Sequence, residues 1–382
     1  MIYLDNAATT FPIPVCVCDE MDRVNRSLSV NAGRGSYRLS QKASKIVDCT
    51  RESLAGLMGM EDAGRIIFSS SATLAVNQVL GGRSWSRNET VYVSPYEHNA
   101  VLRPLFALKE RHGFDVYELP LIHGKTEIDL KQMKDMFSLN RPSLVCCTHI
   151  SNVTGYILPA EQIAKIAKEY GADVLIDASQ SAGLVKINTE NIDYLIFAGH
   201  KTLYGPFGIG GAVLGRNVKP EPFIYGGTGS SSLDLKMPDA VPARYEPGSI
   251  NISAAAGLGA AVKYIENTGM DKIFKHEKKL TEELIRGLSV IKGVKTYLPD
   301  DLESHVGIVS FNVEEYTAGE CGQILDSDFD IAVRTGYHCA AFIHKYLADK
   351  AYLGTVRASV GLFTSIDDVE KFIEAVEKIA EE

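Results

Sequence analysis

Two residues raise the first chemical question: Asp177, which closes the apolar run "DVLID", and Lys201, which closes the next one, "YLIFAGHK", 24 residues later. A lysine placed in a pocket loses its proton on desolvation and can then form a Schiff base with an aldehyde. An ionised aspartate keeps a pyridine nitrogen protonated, which turns the ring into an electron sink. Together they are the pair that pyridoxal 5'-phosphate uses. Upstream, "FSSSATLAVN" puts residues 70–73 at a strand-to-helix turn. Free backbone N–H groups and the positive end of the helix make such a turn an anion site, suited to a phosphate. His98 follows "YVSPYE", and Asn152 follows "CTHIS". Singly, each has a plainer account as a serine N-cap, a turn-forming aspartate or a structural histidine. In this order, each at the end of an apolar run, they read as one site.

A second candidate lies far along the chain, in "VRTGYHCAAFIHKY", where Cys339 follows His338. The chain has seven cysteines, an odd number at irregular spacing, which fits a reducing compartment and a cytoplasmic location better than a disulfide framework. Cys16 and Cys18 form C-x-C rather than C-x-x-C, and no second ligand pair follows, so no metal site is expected. They and the strand-like pair Cys146 and Cys147 read as packing residues. Cys339, among polar neighbours in a loop, does not.

Composition narrows the classes. With 45% hydrophobic and 23% charged residues the chain is globular, and its 382 residues suggest two or three domains at roughly 150 residues each. A net charge of -9 without a basic block argues against nucleic acid as a partner. "MIYLDNAATTF" lacks the basic and apolar regions of a secretory signal, and no apolar run approaches a membrane span. "GGTGSSS" lacks the G-K-[ST] ending of a phosphate loop, and "GIGGAVLG" reads as a strand rather than a dinucleotide fingerprint.

The elements that must position these residues alternate. "RIIF", "TVYVSP", "SLVCCTHIS", "DVLIDASQ", "YLIFAGHK" and "GGAVLG" are strands, and helical stretches such as "AEQIAKIAKEYG" separate several of them. Such alternation predicts βαβ units and a mostly parallel sheet, which binds ligands at the carboxyl ends of its strands. After the glycine- and serine-rich stretch 225–235, the segment "ARYEPGSINISAAAGLGAAVKYI" ends in a bridging helix. Beyond it, "HVGIVSFNV", "DIAVRTG" and "GTVRASVG" with flanking helices suggest a smaller α+β unit. Thr364 and Asp367 fit a T-x-x-D cap for the last helix. The boundaries expected are 15–255 for the large α/β domain and 1–14 with 256–382 for the small one.

The motifs "YLDNAATT", "YEHNA", "HISNVTG", "DASQSAG", "GHKTLYGPFGIGG", "YEPGSINISAAAGLGAA", "RTGYHCA" and "TVRAS" run nearly end to end. In them the chain resembles the class V, fold-type I pyridoxal-phosphate enzymes, specifically the cysteine desulfurase and selenocysteine lyase family. It is similar to the branch whose cysteine follows R-x-G-x-H on a compact loop. The resemblance implies a large domain with a seven-stranded, mostly parallel sheet. It implies Lys201 in the Schiff base, Asp177 at the pyridinium nitrogen and His98 stacked on the ring, where it assists proton transfer. Asn152 and Gln180 would contact the ring's phenolic oxygen or its surroundings, with Asn152 near the substrate. The Ala72 amide, Thr73 and His200 would hold the phosphate. Ser249 would reach the phosphate of the neighbouring subunit in a homodimer, and Arg357 would clamp the substrate carboxylate. Cys339 would accept sulfur from L-cysteine, leaving alanine and an enzyme persulfide for a sulfur-acceptor protein, as in iron–sulfur cluster assembly. His338 and Arg334 are its local supports. A selenocysteine lyase, a cysteine desulfhydrase or, with no use for Cys339, a class V aminotransferase would share much of this site.

Three departures from the family pattern bear on substrate and cofactor. Ala198 stands where many relatives carry a phosphate-binding Ser or Thr, and Tyr37 where some carry a histidine. "HKTLYGP" is one residue longer than the "HKLYGP" of close relatives.

Overall fold

The computed structural model describes residues 1–33, 35–229 and 233–381; the serines 230–232 of the glycine- and serine-rich stretch lie outside it. In chain order its elements begin with β1 (Ile2–Tyr3), α1 (Val15–Ser27), α2 (Arg38–Leu57), β2 (Ile66–Ser69), α3 (Ala72–Gly81), β3 (Thr90–Val93), α4 (Asn99–His112) and β4 (Asp115–Glu118). There follow α5 (Leu130–Leu139), β5 (Leu144–Thr148), α6 (Ala160–Glu169), β6 (Asp173–Asp177), β7 (Tyr194–Ala198), β8 (Gly210–Leu214), α7 (Ile252–Thr268) and α8 (Met270–Leu288). The last are β9 (Val294–Tyr297), β10 (Ile308–Val313), α9 (Ala318–Phe329), β11 (Ile331–Ala332), β12 (Arg334–Gly336), α10 (His344–Leu347), β13 (Thr355–Ser359) and α11 (Ile366–Glu381).

Seven strands form one sheet in the order β2-β8-β7-β6-β5-β3-β4, and only β8 runs against the rest. Strands β5, β7 and β8 are buried along their whole length and β6 at every residue but Asp173, as expected for a sheet covered on both faces. Because β2, β3, β5, β6 and β7 share a direction, their carboxyl ends open on the same edge. The alternation read from the sequence omits β4, whose "DVYE" is an edge strand with two exposed residues and too little apolar signal.

Four further strands, β12-β13-β10-β9, make an antiparallel sheet whose core is built from Leu4, Leu284, Phe311, Val356 and Phe372 among others. The run "DIAVRTG" is divided between two sheets: β11 pairs in parallel with β1, and β12 pairs with β13. The cap of α11 lies one residue beyond the expected pair. Ser365 Oγ accepts from Asp368 N at 3.1 Å, and Asp368 Oδ2 accepts from Ser365 N at 2.9 Å. Thr364 is already committed, its hydroxyl accepting from Gly361 N at 3.0 Å. The packing reading holds for Cys146 and Cys147, which are buried in β5, but not for Cys16 and Cys18, which are exposed on α1. There the inward face belongs to Val17 and Val24. Among the described residues no helix is long and apolar enough to cross a membrane.

Candidate active site

The carboxyl ends of β2, β5, β6 and β7 converge, with the N-terminus of α4 beyond β3, on a cavity of about 200 Å³. It is lined by Lys201, Asp177, His98, Asn152, Gln180, His200, Ala72, Thr73 and Ala198. Nine residues scattered between positions 72 and 201 are thus brought together by parallel strands that stop at one level. Desolvation pulls the Lys201 ammonium down to about 8; Arg357 and Arg334 push the same way, while Asp177 and Cys339 oppose them. The buried Asp177 carboxylate is oriented by Ser179 N, which donates to Oδ1 at 2.9 Å.

His98 is the N-cap of α4, and its Nδ1 accepts from Ala100 N at 3.0 Å. That bond leaves the proton of a neutral ring on Nε2. Burial and the nearby Lys201 charge lower its pKa to about 4, so the ring is neutral at physiological pH. Behind Asp177, the carboxyl of Glu97 is fully buried, and its Oε1 accepts from the Ser94 hydroxyl at 2.6 Å and from Thr148 N. Burial, with the Asp177 charge adding to it, raises Glu97 to about 8. Being mostly protonated at neutral pH, Glu97 does not repel the Asp177 charge.

The anion end is the start of α3. Ser71 caps it by accepting from Leu74 N at 3.2 Å, so its hydroxyl leaves the Ala72 and Thr73 amides unclaimed. A Cβ on Gly210, at the adjacent start of β8, would lie 2.8 Å from Ala72 N. His200 completes this end, with Nδ1 3.3 Å from Thr9 Oγ1 and its ring stacked on Phe207 at 4.7 Å. The N-terminal "NAATT" straps the lysine loop. Thr10 donates through its hydroxyl to Lys201 O (2.8 Å) and through its amide to His200 O (3.0 Å), and Gln180 Nε2 donates to Ala7 O (2.7 Å). The extra residue in "HKTLYGP" is taken up in a tight turn. Tyr204 N donates to Lys201 O at 2.7 Å, Tyr204 adopts φ 55°, and Thr202 Oγ1 is pinned to Ala182 O at 2.8 Å.

Cys339 is exposed on a turn closed by Ala340 N donating to Tyr337 O at 3.0 Å. Both central residues are left-handed, with φ 46° at His338 and 57° at Cys339, a pairing that Asn and Gly usually supply. Residues with a Cβ are held there only when surroundings over-determine them. Asn152 Nδ2 donates to His338 O (2.7 Å), and Asn99 N donates to Cys339 O (2.6 Å). His338 Nε2 faces Thr355 O (3.1 Å) and Thr355 Oγ1 (2.9 Å). Arg334 Nη2 lies 3.5 Å from Cys339 Sγ and also lines the cavity, so a single cation links the thiol to the pocket. His338, by contrast, is buried and pushed down to about 2 by desolvation and neighbouring cations, so it brings no positive charge to the thiol.

The family model for class V aminotransferases matches residues 2–372. The chain belongs to that family. It is 34% identical over 99% of its length to a probable cysteine desulfurase of Methanothermobacter thermautotrophicus, 94% of which is covered. A probable cysteine desulfurase of Pyrococcus abyssi matches at the same identity and coverage. Among solved structures, the apo cysteine desulfurase of Thermococcus onnurineus NA1 superposes with a TM-score of 0.90 at 32% identity, over 100% of this chain and 94% of that one.

Within this class V fold three sequence-predicted residues stand apart from the cavity wall. Cys339 is outside its lining, with Sγ 3.5 Å from the Nη2 of Arg334, which is part of it. Arg357 is fully buried: Nη1 donates to Asn152 O (2.9 Å), Nη2 to Asp5 Oδ1 (2.6 Å), and Nε has no partner among the described residues. Ser249 is exposed, accepts from Asn31 Nδ2 at 2.9 Å and lines a different cavity with Ser69 and Ser70. Tyr37 is exposed at the N-cap of α2, away from the lining of the lysine cavity. The sequence reading missed Asp5, Glu97 and Ser179. Ser179 lines the cavity with a buried hydroxyl that has no partner among the described residues. Its place two residues after Asp177 was the available signal.

Proposed function

We propose that this chain is a pyridoxal-phosphate-dependent cysteine desulfurase that converts L-cysteine to L-alanine and retains the sulfur as a persulfide on Cys339. The reading rests on one observation: an exposed thiol, on a strained and fully tethered turn, shares Arg334 with the cavity that holds Lys201. The cavity fits the cofactor in the chemistry of its donors. Unclaimed Ala72 and Thr73 amides, with His200, suit a phosphate, and Gly210 keeps that cradle clear. Asp177 suits a pyridinium nitrogen, Lys201 an aldehyde, and the orphaned Ser179 hydroxyl indicates a polar ligand. Bound there, pyridoxal phosphate would supply the aldehyde and the electron-accepting ring.

The chain's own residues then divide the work. Lys201, with its amine form accessible near neutral pH, takes the α-proton of L-cysteine. Neutral His98 offers Nε2–H to the ring face and to proton transfer. Arg357 anchors the substrate carboxylate, its fork oriented by Asp5, with Arg334 as the second cation nearby. Cys339, whose Sγ lies 3.5 Å from Arg334 Nη2, attacks the substrate sulfur. A sulfur–sulfur bond forms and the carbon–sulfur bond breaks. Its electron pair stays with the substrate, whose β-carbon takes a proton and leaves as the methyl group of alanine. The persulfide waits on an exposed turn for an acceptor protein. A homodimer, with Ser249 turned toward a neighbouring copy, and a cytoplasmic location complete the proposal.

Single-turnover reaction of the loaded protein with L-cysteine tests it. Alanine equal to the persulfide mapped on Cys339 is the expected result. Pyruvate and free sulfide without that persulfide would make the protein a desulfhydrase, and amino transfer to a keto acid would sink the reading.

A further inference from the structure

Behind the Cys339 turn lies a pair of ionisable groups that the reaction does not use. His344, on α10, points both ring nitrogens at acceptors: Nδ1 at a carboxylate oxygen of Asp349 and Nε2 at Tyr337 O, 3.0 Å away. Neither a carboxylate nor a carbonyl can donate, and a neutral imidazole has a single N–H. Both contacts are hydrogen bonds only when the ring carries two protons. Asp349 is 1% exposed, so the cation and its counter-ion form a partly sequestered pair.

We propose that His344, charged against Asp349, is a positioning residue for Cys339. Tyr337 O is the carbonyl that closes the strained turn, and it takes the Ala340 amide and the His344 N–H together. Carbonyls 337, 338 and 339 are then all held, by His344, Asn152 and Asn99 respectively. Of these three tethers, only the one from His344 is an ionised donor, the stronger kind. It also acts from a fixed post: Lys345 Nζ reaches Glu118 on β4 at 2.5 Å, Tyr346 Oη reaches the same carboxylate at 3.2 Å, and Phe342 packs edge-on against Phe106. The ionisable groups around His344 are few. Asp349 bonds it, Tyr337 meets it edge-on at 5.1 Å between ring centroids, and neutral His338 lies at 6.2 Å. Lys345 is occupied by Glu118, Lys295 Nζ donates to Leu347 O at 3.3 Å, and Tyr297 lies close enough to Asp349 to feel its charge. A ring with a single proton could serve only one of Asp349 and Tyr337 O, and the turn would lose a tether.

The idea rests on Cys339 being the sulfur acceptor, and two readouts keep the questions separate. In the cofactor-loaded chain, the rate of iodoacetamide labelling of Cys339 reports the turn without any sulfur chemistry. Single-turnover persulfide formation reports its use. His344→Gln, which cannot donate to both acceptors, is expected to slow persulfide formation roughly tenfold and to alter the rate of Cys339 labelling, with the cofactor spectrum unchanged. Asp349→Asn can donate to Nδ1 and leave Nε2–H on Tyr337 O with a neutral ring. It should keep more of the rate than His344→Gln. A His344→Gln protein with parental labelling and rate, or an Asp349→Asn protein no faster than His344→Gln, would overturn the proposal. Altered labelling with no persulfide in any variant, parent included, would keep the positioning role and reject the desulfurase reading.

Discussion

The lysine cavity and the Cys339 turn, the two halves of the proposed site, are built on opposite principles. The cavity is made where parallel strands end, and its side chains lie at positions a strand reaches without strain. The turn is made where the chain is bent into two consecutive left-handed residues, and four residues outside it, Asn99, Asn152, His344 and Thr355, hold it there. The first is set mainly by the sheet, with the N-terminal strap over the lysine loop. The second exists only while its tethers do, and so is the half that can be adjusted without touching cofactor chemistry.

Removing the centre of each half should break the comparison most sharply. Lys201→Ala and Cys339→Ala should each reduce desulfuration by at least ~10³-fold. Only the cysteine variant should keep the cofactor's visible absorption and exchange the α-proton of L-cysteine, as deuterium incorporation would report. If Cys339→Ala also loses exchange, the halves are not separable. Arg357→Lys should come next, raising the half-saturating cysteine concentration by ~10–100-fold because a point charge replaces a two-pronged fork. An effect confined to Arg334→Gln would transfer the carboxylate to that residue.

Arg334 joins the halves, and pH should show it. The Lys201 amine, held near 8, becomes free as pH rises, so cofactor uptake by the apo protein should accelerate through that region. Arg334 lowers that pKa; Arg334→Gln should therefore shift the uptake curve to higher pH, while also slowing persulfide formation on Cys339. Unmoved uptake with slowed persulfide formation would confine Arg334 to the turn. The smallest effect is expected at Ala198. A serine there should tighten cofactor binding a few-fold, since one more hydroxyl contact contributes about 1 kcal/mol, measured as the dissociation constant for the cofactor.

The two halves also differed in how far the sequence revealed them. Asp177, Lys201, His98 and Asn152 each follow an apolar run, so strand periodicity alone placed them on one edge. Six of the seven strands were legible for the same reason; β4 was not, because its edge position erases its apolar signal, and the count of seven came from the family resemblance. Cys339 was legible as a polar-loop cysteine, but its tethers were not. Thr355, Asn99 and Asp349 carry no local pattern that points to residues 337–339, and left-handed φ at His338 and Cys339 is invisible where neither Gly nor Asn occupies the position. The burial of Arg357 against Asp5 depends on a contact between residues 352 positions apart. The cap of α11 was misplaced by one residue because Thr364 and Ser365 offer equal hydroxyls, and only the preceding turn decides which is free.

The strap formed by residues 5–10 has a consequence for biosynthesis. Thr10 holds the lysine loop, while Asp5 holds Arg357 and Asn6 holds Ser359 O. Asp5 and Asn6 therefore close on residues 352 and 353 positions further along, a connection of long sequence separation that forms slowly. A nascent chain that has just exposed Lys201 has neither the Arg357 guanidinium nor the Cys339 thiol. The proposed set of site residues is thereby completed only after positions 339 and 357 have been made.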